Sequence, residues 1–465
     1  MEENIFKKYD IRGIVGKEMP IESTYNIAKA ITTFFLKKNP KIKNILVGMD
    51  GRISSEKIKQ QVINAVTDSG LNVIDIGLCP VPVFYFCLFS KKECSSGIMV
   101  SASHNPKEYN GMKICLDKKS LLKKQILEIK KIFKQKKFKN KSEKNGKVKK
   151  IDAVNKYINW LVKNFSNLKN LEIPAVIDCA NGTAGTILPD LIKKMNWKNI
   201  KLLYEKVDGN FPNHGPDPTN PKSMKAVFNH LKTNKKTEFG IGFDSDSDRM
   251  VLVNKDCTIV PGDKLLAIFS KPIAQKNTGA KIVFDIKSSQ GLIELLKKWK
   301  AKPIMSPTGY SNIKNTILKN NALAGGELSC HFFFNDKYFG FDDGIYAMLR
   351  LFEIIYKTQK TVSELLEEFP KKISSPEYRI PCKETEKNMI VKNVKNYFLN
   401  KKNSKNIIID GIRAQLSYGW GLVRASNTQS VISLRLESDT KKGFNKIKSD
   451  FAKALKPYID VSFLN

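Results

Sequence analysis

The run GIMVSASHNPKEYNGMK, residues 97–113, joins a strand to a site. Gly97-Ile98-Met99-Val100 is short and apolar, which predicts the end of a buried strand. Ser101-Ala102-Ser103-His104-Asn105-Pro106 stops it. Small polar residues and a proline predict a tight, exposed loop. Such a loop brings the Ser103 hydroxyl to the C-terminal edge of a sheet, where open α/β sheets bind ligands. A Ser-rich segment is more often a plain polar turn. Here a hydroxyl, an imidazole and an amide stand in consecutive positions, a proline stiffens the loop, and Lys113 follows. Adjacency alone does not make His104 the base for Ser103; a hydrolase triad would draw its histidine from elsewhere.

Working outward, the chain repeats a strand–helix rhythm. Residues 45–48 read as a strand, Asp50-Gly51-Arg52 as the turn after it, and Ser55 as the cap of a helix with an Ile58, Val62, Ala65 and Val66 stripe. A strand at 72–76 completes a βαβ unit. Residues 118–150 read as an amphipathic helix, with Leu121, Leu122, Ile126, Ile129 and Phe133 inward, grading into a polar linker. A second unit starts at 151, with a strand at 173–177 and a turn at 178–182. It lacks G-x-G-x-x-G, which argues against a dinucleotide site. After a turn-rich loop at 208–216, a strand at 239–243 ends in Asp244. A third unit starts near Asp263, with strands at 281–286 and 303–305 and a helix at 289–300. Past Pro370 the rhythm stops: residues 431–436 alternate like a half-exposed strand and 441–455 read as a helix. The pattern predicts three similar mixed α/β domains, 1–150, 151–258 and 259–370, followed by a smaller α+β domain, 371–465.

At 465 residues with 41% hydrophobic content, the chain is long enough for several cores. Its formal charge of +35 suggests nucleic acid at first sight. The excess is mostly lysine, however, and scattered, and no helix-turn-helix, zinc-finger or RNP pattern accompanies it. We read it as a solvated surface that can also steer anions. The longest apolar run, 81–89, is far too short for a bilayer. The N-terminal residues lack a signal-peptide core. The eight cysteines contain no C-x-x-C pair, so they read as reduced residues of a cytoplasmic protein.

Three further clusters carry chemistry. Asp244-Ser245-Asp246-Ser247-Asp248-Arg249 sets carboxylates at alternate positions between apolar flanks. In an extended loop they face one way and repel unless a cation neutralises them. All-oxygen ligands suit Mg²⁺, and an EF-hand fails for lack of Gly at 249 and Glu at 255. Arg249 would hold a phosphoryl oxygen beside the ion. Glu327-Leu328-Ser329-Cys330-His331 offers an acceptor, a hydroxyl and an imidazole. Arg424-Ala425-Ser426-Asn427-Thr428 offers a fork and neutral donors for a phosphate dianion. Each alone could be an ordinary polar turn.

S-A-S-H-N-P with Y-N-G-M-K resembles the active-site serine loop of the α-D-phosphohexomutases. D-S-D-S-D-R is similar to that family's metal loop, D-G-D-G-D-R, with serines for both glycines. G-E-L-S-C-H resembles the sugar-recognition loop of its phosphomannomutase/phosphoglucomutase branch. R-A-S-N-T resembles its phosphate-binding loop and departs from the R-x-S-G-T-E of the phosphoglucosamine branch. The resemblance covers nearly the whole chain and implies four domains around a central cleft. It implies a phosphorylated Ser103 that ligates Mg²⁺ with Asp244, Asp246 and Asp248. It further implies catalytic roles for His104, Lys113, Arg249, Arg12 and His331. Substrate contacts are implied for Tyr9, Arg12, Lys113, Lys287, Thr308, Gly309, Tyr310, Glu327, Ser329, His331, Arg424, Ser426, Asn427 and Thr428. Tyr310 stands where the branch often has His, and a tyrosine is no base near neutral pH. That leaves His331 and Lys113 for proton transfer, with His214 and His230 as structural residues.

The implied activity interconverts hexose 1-phosphate and hexose 6-phosphate, of mannose or glucose, through a hexose 1,6-bisphosphate that also serves as activator. Sugar phosphates are then the partners, with neither nucleic acid nor membrane, in a monomer or small homo-oligomer. The alternatives are a phosphoglucosamine mutase, a Mg²⁺-dependent sugar-phosphate phosphatase with a phosphoserine intermediate, and a basic nucleic-acid binder. The last explains the charge and none of the four loops.

Overall fold

The computed structural model describes residues 3–91, 93–426 and 430–464. Four sheets follow one another along the chain. The first is ordered Asp10–Ile14, Tyr109–Leu116, Gly97–Val100, Asn44–Met49, Asn72–Leu78, Val148–Lys150. Its centre is parallel, because the helix Ser55–Thr67 returns the chain between Asn44–Met49 and Asn72–Leu78. The second sheet is ordered Ile259–Val260, Met250–Val253, Phe239–Phe243, Glu172–Asp178, Lys198–Leu203, and the third Lys302–Ser306, Lys281–Asp285, Ala324–Gly326, Phe332–Phe334. Both mix parallel and antiparallel pairs. The fourth is antiparallel in every pair and carries the helices Lys387–Leu399 and Lys441–Leu455. The chain is thus three mixed α/β domains and a smaller α+β domain around a central cleft.

Four local expectations change. The serine loop is buried, with Ser101 at 1% and Ser103 at 3% exposure, because the acidic loop of the second unit docks on it. Ser54, not Ser55, precedes the helix Ser55–Thr67; the Ser55 hydroxyl donates to Asp50 Oδ1 instead. The helix expected over 118–150 is confined to Lys123–Lys134, with Leu122 exposed before it and Ile132 buried. The supposed linker ends as the strand Val148–Lys150, which adds to the sheet edge beside Asn72–Leu78.

The strand Val431–Ser438 is buried on both faces. Ile432, Leu434 and Leu436 face the helices of their own domain. Ser433, Arg435 and Glu437, which read as solvent residues, face the third unit and the cleft. Alternation here separates two buried environments, not inside from outside.

Candidate active site

Ser103 lies in a hairpin turn. Gly97–Val100 pairs antiparallel with Tyr109–Leu116, setting Met99 opposite Lys113. The return strand therefore brings Lys113 back to the loop. Ser103 has φ +48°, an uncommon left-handed conformation for a residue with a side chain. Arg52 holds it there. The fully buried guanidinium donates to the carbonyls of Ser103 (2.5 Å), Asn105 (2.5 Å), Pro106 (2.6 Å) and Tyr109 (3.0 Å). Asp50 balances its charge at 3.2 Å, and Phe211 of the second unit covers it. The sequence marked Arg52 only as part of a turn.

The acidic loop bridges the antiparallel strands Phe239–Phe243 and Met250–Val253. Asp244, Asp246 and Asp248 are fully buried, and one oxygen from each lies within 4.8 Å of the others. Ser103 Oγ donates to Asp244 Oδ2 at 2.8 Å, and Ser101 Oγ to Asp246 Oδ2 at 2.8 Å. Ser245 Oγ donates to the Ser103 carbonyl at 2.7 Å, so one serine in a glycine position binds the serine loop. Asp246 Oδ1 is buried without a hydrogen-bond partner. Convergent carboxylates with an orphaned oxygen fit a hard divalent cation. Burial and its two neighbours push the Asp244 carboxyl well up, whereas at Asp248 burial is outweighed by Lys113, His331 and Arg249 together, which hold it well down. Burial opposes charge on Lys113, but Asp246, at 3.0 Å, and Asp248 keep its pKa well above the usual range.

His104 and His331 have opposite characters. Burial, Arg249 and Arg12 pull the His104 pKa well down, leaving a neutral imidazole with Nδ1 3.3 Å from Ser103 Oγ. Burial and Arg249 also pull at His331, but Asp248 and Glu327 outweigh them and raise it to about 9. Its Nε2 lies 3.2 Å from both Asp248 Oδ1 and Arg249 Nε. A protonated Nε2 can donate only to Asp248; the arginine contact is then repulsive. Nδ1 faces Glu327 Oε2 at 3.1 Å and Ser329 Oγ at 3.4 Å. Glu327 Oε1 accepts from Gly309 N at 2.6 Å. Gly309 has φ +119°, and a Cβ there would come within 2.6 Å of the Tyr9 ring. Tyr9 OH donates to the Thr308 carbonyl at 3.1 Å, joining the first and third units. Tyr310 lies under the Lys113 ammonium, 5.3 Å from ring centroid to Nζ, and burial keeps its hydroxyl protonated. Arg12 donates to Asn105 Oδ1 at 2.7 Å and to Asp10 Oδ2 at 2.6 Å.

Across the cleft, Lys287 pairs with Glu377 at 3.1 Å. Arg424 Nε donates to Asp410 Oδ2 at 2.9 Å, an oxygen that also accepts from Thr308 N at 3.1 Å. Ser426 lines the same wall; Asn427 and Thr428 lie outside the described residues. The cleft encloses about 970 Å³. It is lined by Tyr9, Arg12, Ser103, His104, Lys113, Arg249, Lys287, Thr308, Gly309, Tyr310, Glu327, Ser329, His331, Arg424 and Ser426. The sequence reading marked Arg52 only as a turn residue and Asn105 only as the amide of the loop, and it missed Glu377 and Asp410. It also gave no role to Asp342, which is fully buried with both oxygens unpartnered and is grouped with Asp248 and His331. His214 pairs with Asp178 and His230 with Thr237, and neither lines the cleft. A second cavity, about 410 Å³ between helices of the third unit and lined by Trp299 and Phe369, holds none of these groups. No helix among the described residues is long and apolar enough to cross a membrane.

The sequence matches four successive family descriptions. Residues 3–140, 155–258 and 261–373 match the alpha/beta/alpha domains I, II and III of phosphoglucomutase/phosphomannomutase. Residues 377–454 match its C-terminal domain. A phosphomannomutase/phosphoglucomutase of Pseudomonas aeruginosa is 37% identical over 460 residues, covering 97% of this chain and 96% of that one. A phosphoglucomutase of Neisseria gonorrhoeae is 36% identical over 450 residues, covering 96% of each. The crystal structure of a phosphoglucomutase/phosphomannomutase family protein from Burkholderia thailandensis superposes with a TM-score of 0.89 at 30% identity, covering 98% of each chain. With four domain matches in order and relatives alike end to end, this chain belongs to the phosphoglucomutase/phosphomannomutase family.

Proposed function

We propose that this hexose-phosphate mutase, an isomerase, interconverts the 1- and 6-phosphates of mannose or glucose by lending a phosphoryl group from Ser103. The carrying observation is Ser103 Oγ 2.8 Å from Asp244, among three converging carboxylates, on the wall of a cleft whose far side holds Arg424. The four units, taken as 1–150, 151–258, 259–370 and 371–465, each give one loop to that cleft. Ser103, once phosphorylated, would hold Mg²⁺ with Asp244, Asp246 and Asp248; the ion supplies charge neutralisation for the transferring group.

The protein's own groups divide the remaining work. Sugar O6 attacks phosphorus, the phosphorus–Oγ bond breaks, the O6 proton leaves and Ser103 Oγ regains one. Neutral His104 is suited to exchange a proton at Oγ. Lys113 and His331, both cationic at neutral pH, suit charge stabilisation and proton donation rather than proton abstraction. Arg249 and Arg12 add fixed positive charge around the phosphoryl oxygens. The resulting 1,6-bisphosphate turns within the cleft, and its O1 phosphoryl returns to Ser103. Glu327 and Ser329 suit the sugar hydroxyls; Lys287, Arg424 and Ser426 suit the phosphate that is not reacting. The working compartment is the cytoplasm, where the lysine-rich surface attracts anionic sugar phosphates.

Ser103→Ala tests this. Intact mass should show one phosphate on the wild-type protein and none on the variant. Coupled assays with glucose 1-phosphate and mannose 1-phosphate should show turnover lost. Wild-type turnover that releases inorganic phosphate without isomerisation would replace the mutase with a phosphatase, and full activity of the variant would remove Ser103 from the reaction.

A further inference from the structure

Three consecutive carbonyls of the third unit are held by two arginines of the C-terminal domain. Arg413 Nη1 donates to the Ile286 carbonyl at 2.8 Å and to the Ser288 carbonyl at 2.6 Å. Arg435 Nη1 donates to the Lys287 carbonyl between them. Both arginines stand on one face of the sheet, on strands with one strand between them: Ile412–Leu416 pairs with Gly419–Ala425, which pairs with Val431–Ser438, and Leu422 is opposite both. Glu437 from the same face accepts from Gln290 N at 2.9 Å, and Gln415 donates to the Gln290 side chain at 3.1 Å. The loop after Lys281–Asp285 is thus held along its main chain by the neighbouring domain.

Arg413 is fully buried and its Nε and Nη2 have no hydrogen-bond partner. Trp420 stacks on the guanidinium, 3.6 Å from ring centroid to Cζ. A buried cation with two unsatisfied donors is a poor source of stability. It is a good source of geometry: its Nη1 group, held in the guanidinium plane, donates to the Ile286 and Ser288 carbonyls and so restrains the peptide planes before and after the Lys287–Ser288 pair. The planes on either side of Lys287 carry the Ile286 carbonyl, held by Arg413, and the Lys287 carbonyl, held by Arg435; fixing both fixes the direction of its Cα–Cβ bond. A four-carbon stem has many rotamers, so its root must be set if the ammonium is to stay in the cleft against Glu377.

We propose that Arg413 and Arg435 are positioning residues for Lys287, so that seating of the C-terminal domain sets where the Lys287 ammonium stands in the cleft. This rests on the reading of Lys287 as a substrate contact given above. The test is a double-mutant cycle on the full-length enzyme with Lys287→Met, Arg413→Met and the pair, measuring kcat and KM for glucose 1-phosphate. Arg413→Met should lower kcat/KM by about tenfold, mainly through KM, and should cost no more than about twofold once Lys287 is Met. A merely structural arginine would give additive losses, which overturns the proposal, as does an Arg413→Met enzyme with unchanged kcat/KM. An unaffected Lys287→Met enzyme overturns it differently, by removing the substrate role of Lys287 itself. Thermal unfolding checks each variant; if Arg413→Met does not fold, Arg435→Gln takes its place in the cycle with the same expectations.

Discussion

Ser103 carries the cost of its own placement. A left-handed serine is strained, and nothing in S-A-S-H-N-P announces the strain, because the residues that hold it come from elsewhere: Arg52 from an earlier turn and Ser245 from another unit. The loop's place after the strand Gly97–Val100 and at the cleft was readable; its burial was not, since small polar residues predict exposure unless a partner surface is known. The three aspartates were readable for the opposite reason. Their spacing is local, and three converging carboxylates repel unless positive charge is close. Asp246→Asn removes one charge while leaving a side-chain oxygen for the Ser101 hydroxyl. It should weaken Mg²⁺ binding in a metal titration and slow turnover by about two orders of magnitude or more, as the loss of a charge-stabilising group costs about 3 kcal/mol. Chelator-stripped wild-type enzyme that kept its rate would refute the metal assignment.

Elements with one apolar face, and uniformly apolar buried strands such as Phe239–Phe243, were legible in the sequence; a strand whose two buried faces differ in polarity was misread as half-exposed. The strand Val431–Ser438 alternates like a surface strand because its polar residues meet another domain's main chain. The strand Val148–Lys150 was missed because three residues at a sheet edge carry no pattern. The helix Gly344–Thr358 shows what else a boundary can hide. Its N-cap, Asp343, accepts from Tyr346 N, Tyr157 OH and Tyr338 OH, each at 2.8 Å. Burial outweighs these donors and pushes the Asp343 carboxyl up to about 7. The folded protein therefore keeps this proton to about pH 7, while the unfolded chain releases it near the model-peptide value of 3.8. Stability from this group is full below the lower value and falls as pH rises through the higher one. Between about pH 6 and pH 8, wild type should lose about 1 kcal/mol of unfolding free energy relative to Asp343→Asn, whose amide still caps the helix. Parallel denaturant titrations at both pH values check this; equal slopes against pH would show that Asp343 stays ionised.

At the scale of the molecule, four loops announced the site because each is a local signature, whereas the contacts that assemble them are scattered single residues. Asp410 ties Arg424 to Thr308, and Tyr9 reaches the Thr308 carbonyl from the other side. Arg424 thus stands where the last domain meets the third. Arg424→Ala should raise KM for hexose 1-phosphate, because a charge-assisted contact of about 1.5–3 kcal/mol is lost. It should also let the bisphosphate escape before it turns, so that turnover comes to depend on added hexose 1,6-bisphosphate. A rate titration with that compound reads both effects; unchanged KM and no greater need for it would reduce the loop to a turn. The seam between these two domains has a further property. Apart from the 3.4 Å ion pair of Arg435 with Asp263, Arg413 and Arg435 bond to carbonyl oxygens, which every amino acid carries. Substitutions at Ile286 or Ser288 therefore leave those acceptors in place, and these two contacts give the loop's side chains no reason to change in step with the arginines. In the inheritance of such a chain, these main-chain contacts travel with one partner only: a C-terminal domain that keeps its two arginines still finds their carbonyl acceptors on a loop whose spelling has changed.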